Sequence, residues 1–174
     1  MVIVFIISCG GSPPSRERRV ILSGMASDCL FCRIAAREVA ASVVYEDDDF
    51  LAFLDHRPLF EGHTLLVPKV HYETLTDLPE TLAGPFLTRA QLLCRAVEQA
   101  LGASGTFVAI NNRVSQSVPH LHLHIVPRRP KDGLKGFFWP RRKYSSDERT
   151  KAVQKDIAAL TGRPAAHNRE SYTV

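Results

Sequence analysis

The sequence lacks any apolar run that approaches the roughly 20 residues of a membrane-spanning helix, and its 174 residues contain no internal repeat. Neither a membrane protein nor a repeat protein is therefore expected. Charge is also modest, with a formal net charge of +4. Such a charge attracts phosphates but does not by itself distinguish a mononucleotide from RNA or an anionic membrane. Apolar residues make up 45% of the chain, which is enough for one globular core.

Cysteine is scarce, with four residues in the chain, and no convincing secretory signal accompanies them. A disulfide framework is therefore not expected, and the composition favours a reducing cytoplasm. Cys29 and Cys32 form a C-x-x-C pair, which fits half of a zinc site, a redox pair or two buried thiols. Cys94 lies in a helical pattern and is expected to be a small buried apolar residue.

Histidine, by contrast, is concentrated in one stretch. Within residues 116–127, His120, His122 and His124 recur at two-residue intervals, with apolar residues between them. This alternation predicts a β-strand with the imidazoles on one face and the apolar side chains in the core. The outer two histidines would lie roughly 13 Å apart on a straight strand, too far for one metal ion. One end histidine is therefore predicted to serve a metal or the scaffold, and the other two to carry chemistry.

The periodicity of the remaining chain predicts an α+β domain. A long helix is expected near residues 79–101, with Asp77 as its N-cap and Gly84-Pro85 as a kink or a split. A short helix is expected at Phe31–Arg37, and Ser146 is expected to cap a last helix. Alternation and apolar runs predict further strands at Val43–Tyr45, Phe50–Leu54, His63–Pro68 and Thr106–Ile110.

Composition divides the chain into four segments. Residues 1–24 are expected to be an N-terminal extension, disordered or not native, with an ordered N-terminal strand as the alternative. Residues 25–144 are expected to form the main domain, 145–162 a C-terminal helix and 163–174 a disordered tail. The segment 128–143 interleaves basic and aromatic residues, a pattern that can bind nucleic acid. A solvated loop with a buried Trp139 is favoured, so nucleic acid is not the expected partner.

The stretch from His120 to Val126, His-Leu-His-Leu-His-Ile-Val, resembles the histidine triad signature of the HIT family of nucleotide-binding proteins. The resemblance covers roughly residues 28–140. It implies a five-stranded antiparallel sheet with a long helix on one face, and a homodimer joined edge to edge. The element Pro68-Lys-Val-His71 also resembles a family motif. With these motifs the sequence resembles the zinc-containing branch of the family, that of the Hint-like nucleotidyl hydrolases. This resemblance implies a structural Zn²⁺ held by Cys29, Cys32, His71 and His120.

The same resemblance implies cleavage of a nucleoside 5′-phosphoryl bond, such as that of a purine nucleoside phosphoramidate. It assigns the nucleophile to His122, phosphate contact or protonation of the leaving group to His124, and an assisting role to His63. Two alternatives stay open: a dinucleoside polyphosphate hydrolase or phosphorylase, and a non-catalytic nucleotide-binding regulatory protein. The residues that the resemblance assigns to nucleotide binding are Asp55, Asn112, Gln116 and Ser117.

Overall fold

The computed structural model describes residues 28–134 and 144–160. The chain separates into two units, with the boundary between Asp132 and Gly133. The predictions for residues 1–24, for Trp139 and for the tail at 163–174 lie outside the described residues. Within the described ranges, no helix combines the length and apolar character that crossing a membrane requires.

A five-stranded antiparallel sheet forms the centre of the first unit. Its strand order is β1-β2-β3-β5-β4, so β1 and β4 are the two edges. The predicted sheet is therefore confirmed, and the four predicted strands other than the one at the histidine triad lie within about two residues of observed strands. The strands are β1 (Val43–Glu46), β2 (Phe50–Leu54), β3 (Thr64–Pro68), β4 (Gly105–Ile110) and β5 (Leu123–Arg128).

Strands β2 and β3 are buried on both faces, which explains why their sequences are continuous apolar runs. Side chains alternate between two cores because successive residues of a strand point to opposite faces. In β2, Phe50 and Ala52 join one core, while Leu51 and Phe53 join the other. The first core is covered by the long helix, and the second contains residues of the helix α1 (Leu30–Ala35).

The long helix α2 (Glu80–Leu101) packs against β3, β4 and β5 through its apolar stripe, as predicted. The helix is continuous, although Pro85 lies inside it. Pro85 lacks the N–H that would bond the carbonyl of residue 81. Because Pro85 is near the N-terminus of α2, this missing hydrogen bond affects only the first turns of the helix. Gly102 ends the helix with a φ of 58°, a left-handed conformation that glycine adopts at little cost.

The predicted N-cap of α2 is wrong. Asp77 ends a short 3₁₀ turn, Leu75–Asp77, and its carboxylate accepts bonds from the Thr74 backbone N–H at 2.9 Å and the Thr74 hydroxyl at 2.7 Å. The α-helix begins three residues later with Pro79 in the cap position. Thr74 and Asp77 therefore form a capping box for the 3₁₀ turn. This turn does not continue into α2, because the backbone is extended at Leu78.

The predicted strand across residues 116–127 is shorter than expected. It begins at Leu123, because its pairing with β3 ends at Leu66↔Leu123. Before that point the backbone N–H of Leu121 donates instead to the Tyr72 carbonyl at 2.6 Å. His120 and His122 thus precede the strand, yet the side chains still alternate between the two faces. Leu121 and Leu123 join the core under α2, whereas the buried rings of His120 and His122 contact Phe31 of the other core.

The second unit contains the helix α3 (Asp147–Leu160). Ser146 accepts the Arg149 backbone N–H on its hydroxyl at 3.2 Å, which confirms the predicted cap. Ile157 and Leu160 are exposed.

Candidate functional site

Four sulfur and nitrogen ligands converge beside α1. Cys29 lies just before the helix and Cys32 in its first turn, while His71 follows β3 and His120 precedes β5. Each residue offers one ligand atom within 4.8 Å of the others. The structure therefore brings together all four predicted metal ligands from three distant parts of the chain. We call these four residues the cage.

The cage has the dimensions of a tetrahedral zinc site. Bonds of about 2.3 Å to sulfur and 2.0–2.1 Å to nitrogen place a sulfur about 3.6 Å from a nitrogen ligand. In the cage, Cys32 Sγ lies 3.3 Å from His71 Nδ1 and 3.4 Å from His120 Nδ1, and Cys29 Sγ lies 3.4 Å from His120 Nδ1. The residues present therefore fit a zinc ion.

The protonation of His120 also suits a ligand. Its Nε2 lies 2.8 Å from the Pro68 carbonyl, which can only accept, so Nε2 carries the proton and Nδ1 presents its lone pair to the sulfurs. Burial lowers the pKa of His120 to about 4, so the ring is neutral at pH 7. Without a cation, burial and the neighbouring Cys29 raise the pKa of Cys32 to about 12. A coordinated cation reverses this effect because it stabilises the thiolate.

His122 is buried and has one ring nitrogen committed to the backbone. Its Nδ1 lies 2.7 Å from the His120 carbonyl and must donate, because a carbonyl only accepts. In the neutral ring the lone pair is therefore on Nε2. The ring also lines a cavity of about 290 Å³. An imidazole with its lone pair on Nε2 beside a cavity is arranged to act as a nucleophile.

Asp55, His63 and His124 form a second cluster with ligand atoms within 4.8 Å of one another. His63 Nε2 lies 3.0 Å from His124 Nδ1, whereas Asp55 Oδ2 lies 3.5 Å from the other ring nitrogen of His63. The partners thus occupy opposite ends of the His63 ring, so the three residues form a chain rather than a cage. We call them the proton chain.

The tautomers of the proton chain follow from its partners. The Leu59 backbone N–H donates to His63 Nδ1 at 3.3 Å, which leaves His63 Nε2–H to donate to His124 Nδ1. The remaining proton of neutral His124 is then on Nε2. Burial lowers the pKa of His63, and it lowers that of His124 to about 4, so both rings are neutral at pH 7. The negative charge of Asp55 raises the pKa of both histidines and so opposes the effect of burial. It would also stabilise a transient positive charge on either ring.

The cavity beside His122 has an apolar side and a polar side. Asp55, Ser117, His122 and His124 line the polar side, together with His56, whose side chain is 80% exposed. A volume of about 290 Å³ is near the lower end of small-molecule sites. The apolar side is lined mainly by Leu30, Phe31, Ile34, Val39, Phe53 and Leu65.

The predicted nucleotide-binding residues separate into two groups. Asp55 and Ser117 line the cavity. Asn112 instead accepts the Leu75 backbone N–H at 3.0 Å, and Gln116 accepts the Arg113 N–H at 2.7 Å. Gln116 also donates to the Glu73 carbonyl at 2.6 Å. These bonds hold the loop that carries Ser117, and direct contact of either amide with a nucleotide stays a prediction.

Sequence reasoning missed the wall that α1 contributes. Leu30, Phe31 and Ile34 line the cavity, and the Phe31 ring meets His122 edge-on with centroids 5.3 Å apart. The available signal was the apolar pair inside Cys29-Leu-Phe-Cys32, because large apolar side chains such as these are usually buried against other residues. The carbonyls of Pro68 and His120 were also missed, because backbone partners leave no trace in residue type.

A row of three histidines that contributes to a soft-ligand cage at one end and lines a cavity at the other is the arrangement expected of a histidine triad protein. The chain belongs to the HIT family, since the model of the HIT domain matches residues 36–131. It is 35% identical over 130 residues to an adenylylsulfatase of Arabidopsis thaliana, covering 74% of this chain and 66% of that protein. It is 32% identical over 136 residues to an adenosine 5′-monophosphoramidase of Saccharomyces cerevisiae, covering 77% and 84%.

Solved structures share the fold. A zinc-bound histidine triad protein of Mycobacterium smegmatis is 37% identical to this chain and has a TM-score of 0.60. The match covers 78% of this chain and 97% of that one. Family membership makes this chain a HIT protein related to nucleotide hydrolases.

Proposed function

We propose that this protein hydrolyses a purine nucleoside 5′-phosphoramidate or a similar nucleotide conjugate through a nucleotidyl-His122 intermediate. One observation carries the proposal: the bond from His122 Nδ1 to the His120 carbonyl leaves Nε2 as the nucleophilic nitrogen in a ring that lines the cavity. Two relatives are named for related reactions, one as an adenylylsulfatase and one as an adenosine 5′-monophosphoramidase.

The residues supply each step of a two-stage displacement. His122 Nε2 attacks the α-phosphorus and forms an N–P bond, while the bond from phosphorus to the leaving amine breaks. The leaving amine takes a proton from His124 Nε2 while the proton chain carries one extra proton, whose charge Asp55 stabilises, so His124 is left neutral. The attacking water returns a proton to His124 in the second stage. The water oxygen bonds phosphorus, the N–P bond breaks, and His122 is regenerated with a nucleoside monophosphate as product.

The lining of the cavity supports a nucleotide as the substrate. The apolar wall that includes Leu30, Phe31 and Ile34 suits a purine base, because such walls bind flat apolar surfaces. Asp55 at the polar side suits the two ribose hydroxyls, which donate to a carboxylate. Ser117 lies with His122 and His124 on the same lining, where the phosphoryl group would sit.

The cage is proposed to hold a structural Zn²⁺. The sulfur and nitrogen ligands and their 3.3–3.4 Å separations support zinc rather than a hard cation such as Mg²⁺. A HIT relative of Mycobacterium smegmatis has a structure described as zinc-bound. The ion would anchor α1 against the sheet, because its four ligands come from the α1 knuckle and two segments flanking strands.

Turnover and trapping test the proposed reaction. Purified protein is assayed with adenosine phosphoramidate and with a diadenosine polyphosphate, and intact-protein mass spectrometry after an alkaline quench seeks an adenylyl adduct. We expect turnover of the phosphoramidate and an adduct in wild type, and neither in His122→Ala. His56→Ala is the matched control because His56 lines the same cavity outside the proton chain. It should retain both signals.

The other outcomes select among the remaining functions. Faster cleavage of the diadenosine polyphosphate would assign the polyphosphate hydrolase function instead. Nucleotide binding without turnover in wild type would assign a regulatory role. Turnover by His122→Ala at the wild-type rate would refute the nucleophile.

The family resemblance implies a homodimer joined edge to edge, and we further propose that β4 forms its interface. β4 is an edge of the sheet and presents Val108 with 44% exposure. Light scattering coupled to gel filtration should report a dimer in wild type and a monomer in Val108→Lys. Val44→Lys is the control because Val44 is similarly exposed at 51% on the opposite edge strand. Monomeric wild type, or equal loss in both variants, would overturn the β4 interface. The cytoplasmic location stays a prediction.

A further inference from the structure

Phe31 connects the cage to His122. It lies between Cys29 and Cys32 in the sequence and is only 5% exposed. Its ring stands edge-on to His122, with centroids 5.3 Å apart and an interplanar angle of 80°. It also stands edge-on to the cage residue His120, at 5.9 Å and 72°. The tip of the metal knuckle therefore packs directly on the nucleophile.

His120 makes the second connection. Its ring offers Nδ1 to the two cage sulfurs, each at 3.4 Å, while its carbonyl accepts the Nδ1–H of His122 at 2.7 Å. The residue that serves the cage thus also fixes the tautomer of His122. A displacement of His120 would lengthen this bond and release the ring to the other tautomer.

We propose that the cage positions the nucleophile: metal occupancy sets the orientation and tautomer of the His122 ring through Phe31 and through the His120 carbonyl. This inference rests on the proposed function for its catalytic consequence. The ring contact has a narrow geometry, because edge-on aromatic pairs are attractive only over a limited range of separation and angle. A misplacement of about 1 Å in a reacting group lowers a rate by about 10². Phe31 is on this view a positioning residue.

A purely structural cage predicts something different. If the cage only stabilised the fold, its loss would lower the free energy of unfolding but leave the His122 ring unchanged in the folded fraction. Positioning instead alters the ring while the fold persists, and it lowers kcat more than substrate binding. The state of the His122 ring therefore separates the two accounts without any measurement of turnover.

His71 provides a remote test of this link. Its ring contacts His120 at a centroid distance of 5.0 Å, and no described contact joins it to His122. In histidine-¹⁵N NMR spectra at constant pH, zinc-loaded wild type should give one His122 tautomer with Nδ1 protonated. His71→Asn removes one of the four proposed ligands, so it should bind zinc more weakly and should show a mixture of His122 tautomers at low zinc. Excess zinc should restore the single tautomer.

Phe31→Leu tests the ring contact in protein that stays zinc-loaded. It removes the edge-on ring but keeps an apolar side chain and both cysteines. Phe86→Leu is the matched control, because Phe86 is fully buried in the core on the other side of the sheet. We expect a second His122 tautomer, read from the two ring ¹⁵N shifts, and a kcat about tenfold lower in Phe31→Leu only. Zinc content should equal that of wild type in both variants.

Two results would overturn the inference. One is an identical His122 spectrum in zinc-loaded and zinc-free wild type. The other, decisive if zinc removal unfolds the domain, is a wild-type ratio of His122 tautomers in zinc-loaded Phe31→Leu. If no variant turns over any nucleotide, the proposed function fails while the spectra still decide the positioning of His122.

Discussion

The cage and the proton chain use the same residue type for two purposes. In the cage, Cys32 Sγ lies 3.3 Å from one imidazole and 3.4 Å from another, so the ligand atoms surround a common centre. In the proton chain, His63 meets Asp55 and His124 through opposite ring nitrogens, at 3.5 Å and 3.0 Å. The comparison teaches that a histidine's role depends on which groups lie near its ring nitrogens and on which side of the ring they lie. Ligand atoms around one centre suit a cation, whereas partners at opposite ends of a ring suit proton transfer.

The two clusters share one stretch of backbone. His120 belongs to the cage and His124 belongs to the proton chain. His122 lies between them: its Nδ1 donates to the His120 carbonyl, and its ring stands edge-on to the ring of His124. His120 is fully buried, as a closed structural site requires. His124 lines the cavity, as the proposed proton transfer to a substrate requires.

Breaking the cage should have the largest effect on stability. Cys32→Ser replaces a soft thiolate by a poor zinc ligand, so zinc content should fall from one per chain to a small fraction. The free energy of unfolding in the presence of zinc should fall by about 4 kcal/mol, the stabilisation expected when free ligand is 1,000 times Kd. Metal analysis and urea denaturation measure both quantities.

Cys94→Ser is the control for that variant. Cys94 is partly buried against the core below α2 and lies outside both clusters. The substitution should lower the free energy of unfolding without changing the zinc content. Retention of zinc by Cys32→Ser at wild-type affinity would remove Cys32 from the cage.

Breaking the proton chain should affect catalysis alone. His63→Asn removes the ring that donates to His124, so kcat should fall about 10²-fold, or about 2.7 kcal/mol in the activation barrier. Zinc content should not change, because no cage residue is altered. His56→Asn is the control, since His56 lies 3.7 Å from Asp55 but is mostly exposed. Equal losses in the two variants would contradict a specific role for His63.

How far the sequence could predict this molecule depends on the range of the interactions involved. The strands were predictable because Phe50–Leu54 and Thr64–Pro68 are apolar runs whose burial on both faces needs no knowledge of partners. The cage was predictable only from the family motifs, and the structure then brought its four residues together.

What could not be predicted depends on distant backbone. The strand at the triad starts late because Leu121 donates to the carbonyl of Tyr72, a partner 49 residues away that no local pattern reveals. Asp77 was assigned to α2, but it belongs to the 3₁₀ turn before that helix. The sequence allows both assignments, because Asp77 can cap a helix that follows it or pair with Thr74 three residues before it. The Phe31–His122 contact likewise joins residues that only the fold makes neighbours.

Acid should act on the proton chain through His124. Burial lowers its pKa from 6.5 in the unfolded chain to about 4 in the folded protein, so between these values the unfolded state binds more protons. Stability is therefore present above pH 6.5 and is lost as the pH falls towards 4. This residue should contribute on the order of 2 kcal/mol of loss between pH 7 and pH 5.

Denaturation of wild type and His124→Asn across that range isolates this contribution, since other histidines titrate in both proteins. The difference in unfolding free energy between the two proteins should be constant above pH 7 and should shift in favour of the variant below pH 6. A difference that stays constant down to pH 4 would mean that His124 keeps an ordinary pKa.

The smallest expected effect concerns the carboxylate at the end of the proton chain. If Asp55 binds ribose, Asp55→Asn should weaken AMP binding about tenfold, or about 1.4 kcal/mol, because a hydrogen bond to a charged acceptor is lost. Wild type should then bind 2′-deoxy-AMP more weakly than AMP, whereas Asp55→Asn should bind both almost equally. Calorimetry with the two nucleotides measures this. Full discrimination by the variant, together with a lower kcat, would instead assign Asp55 to His63, from which it lies 3.5 Å away.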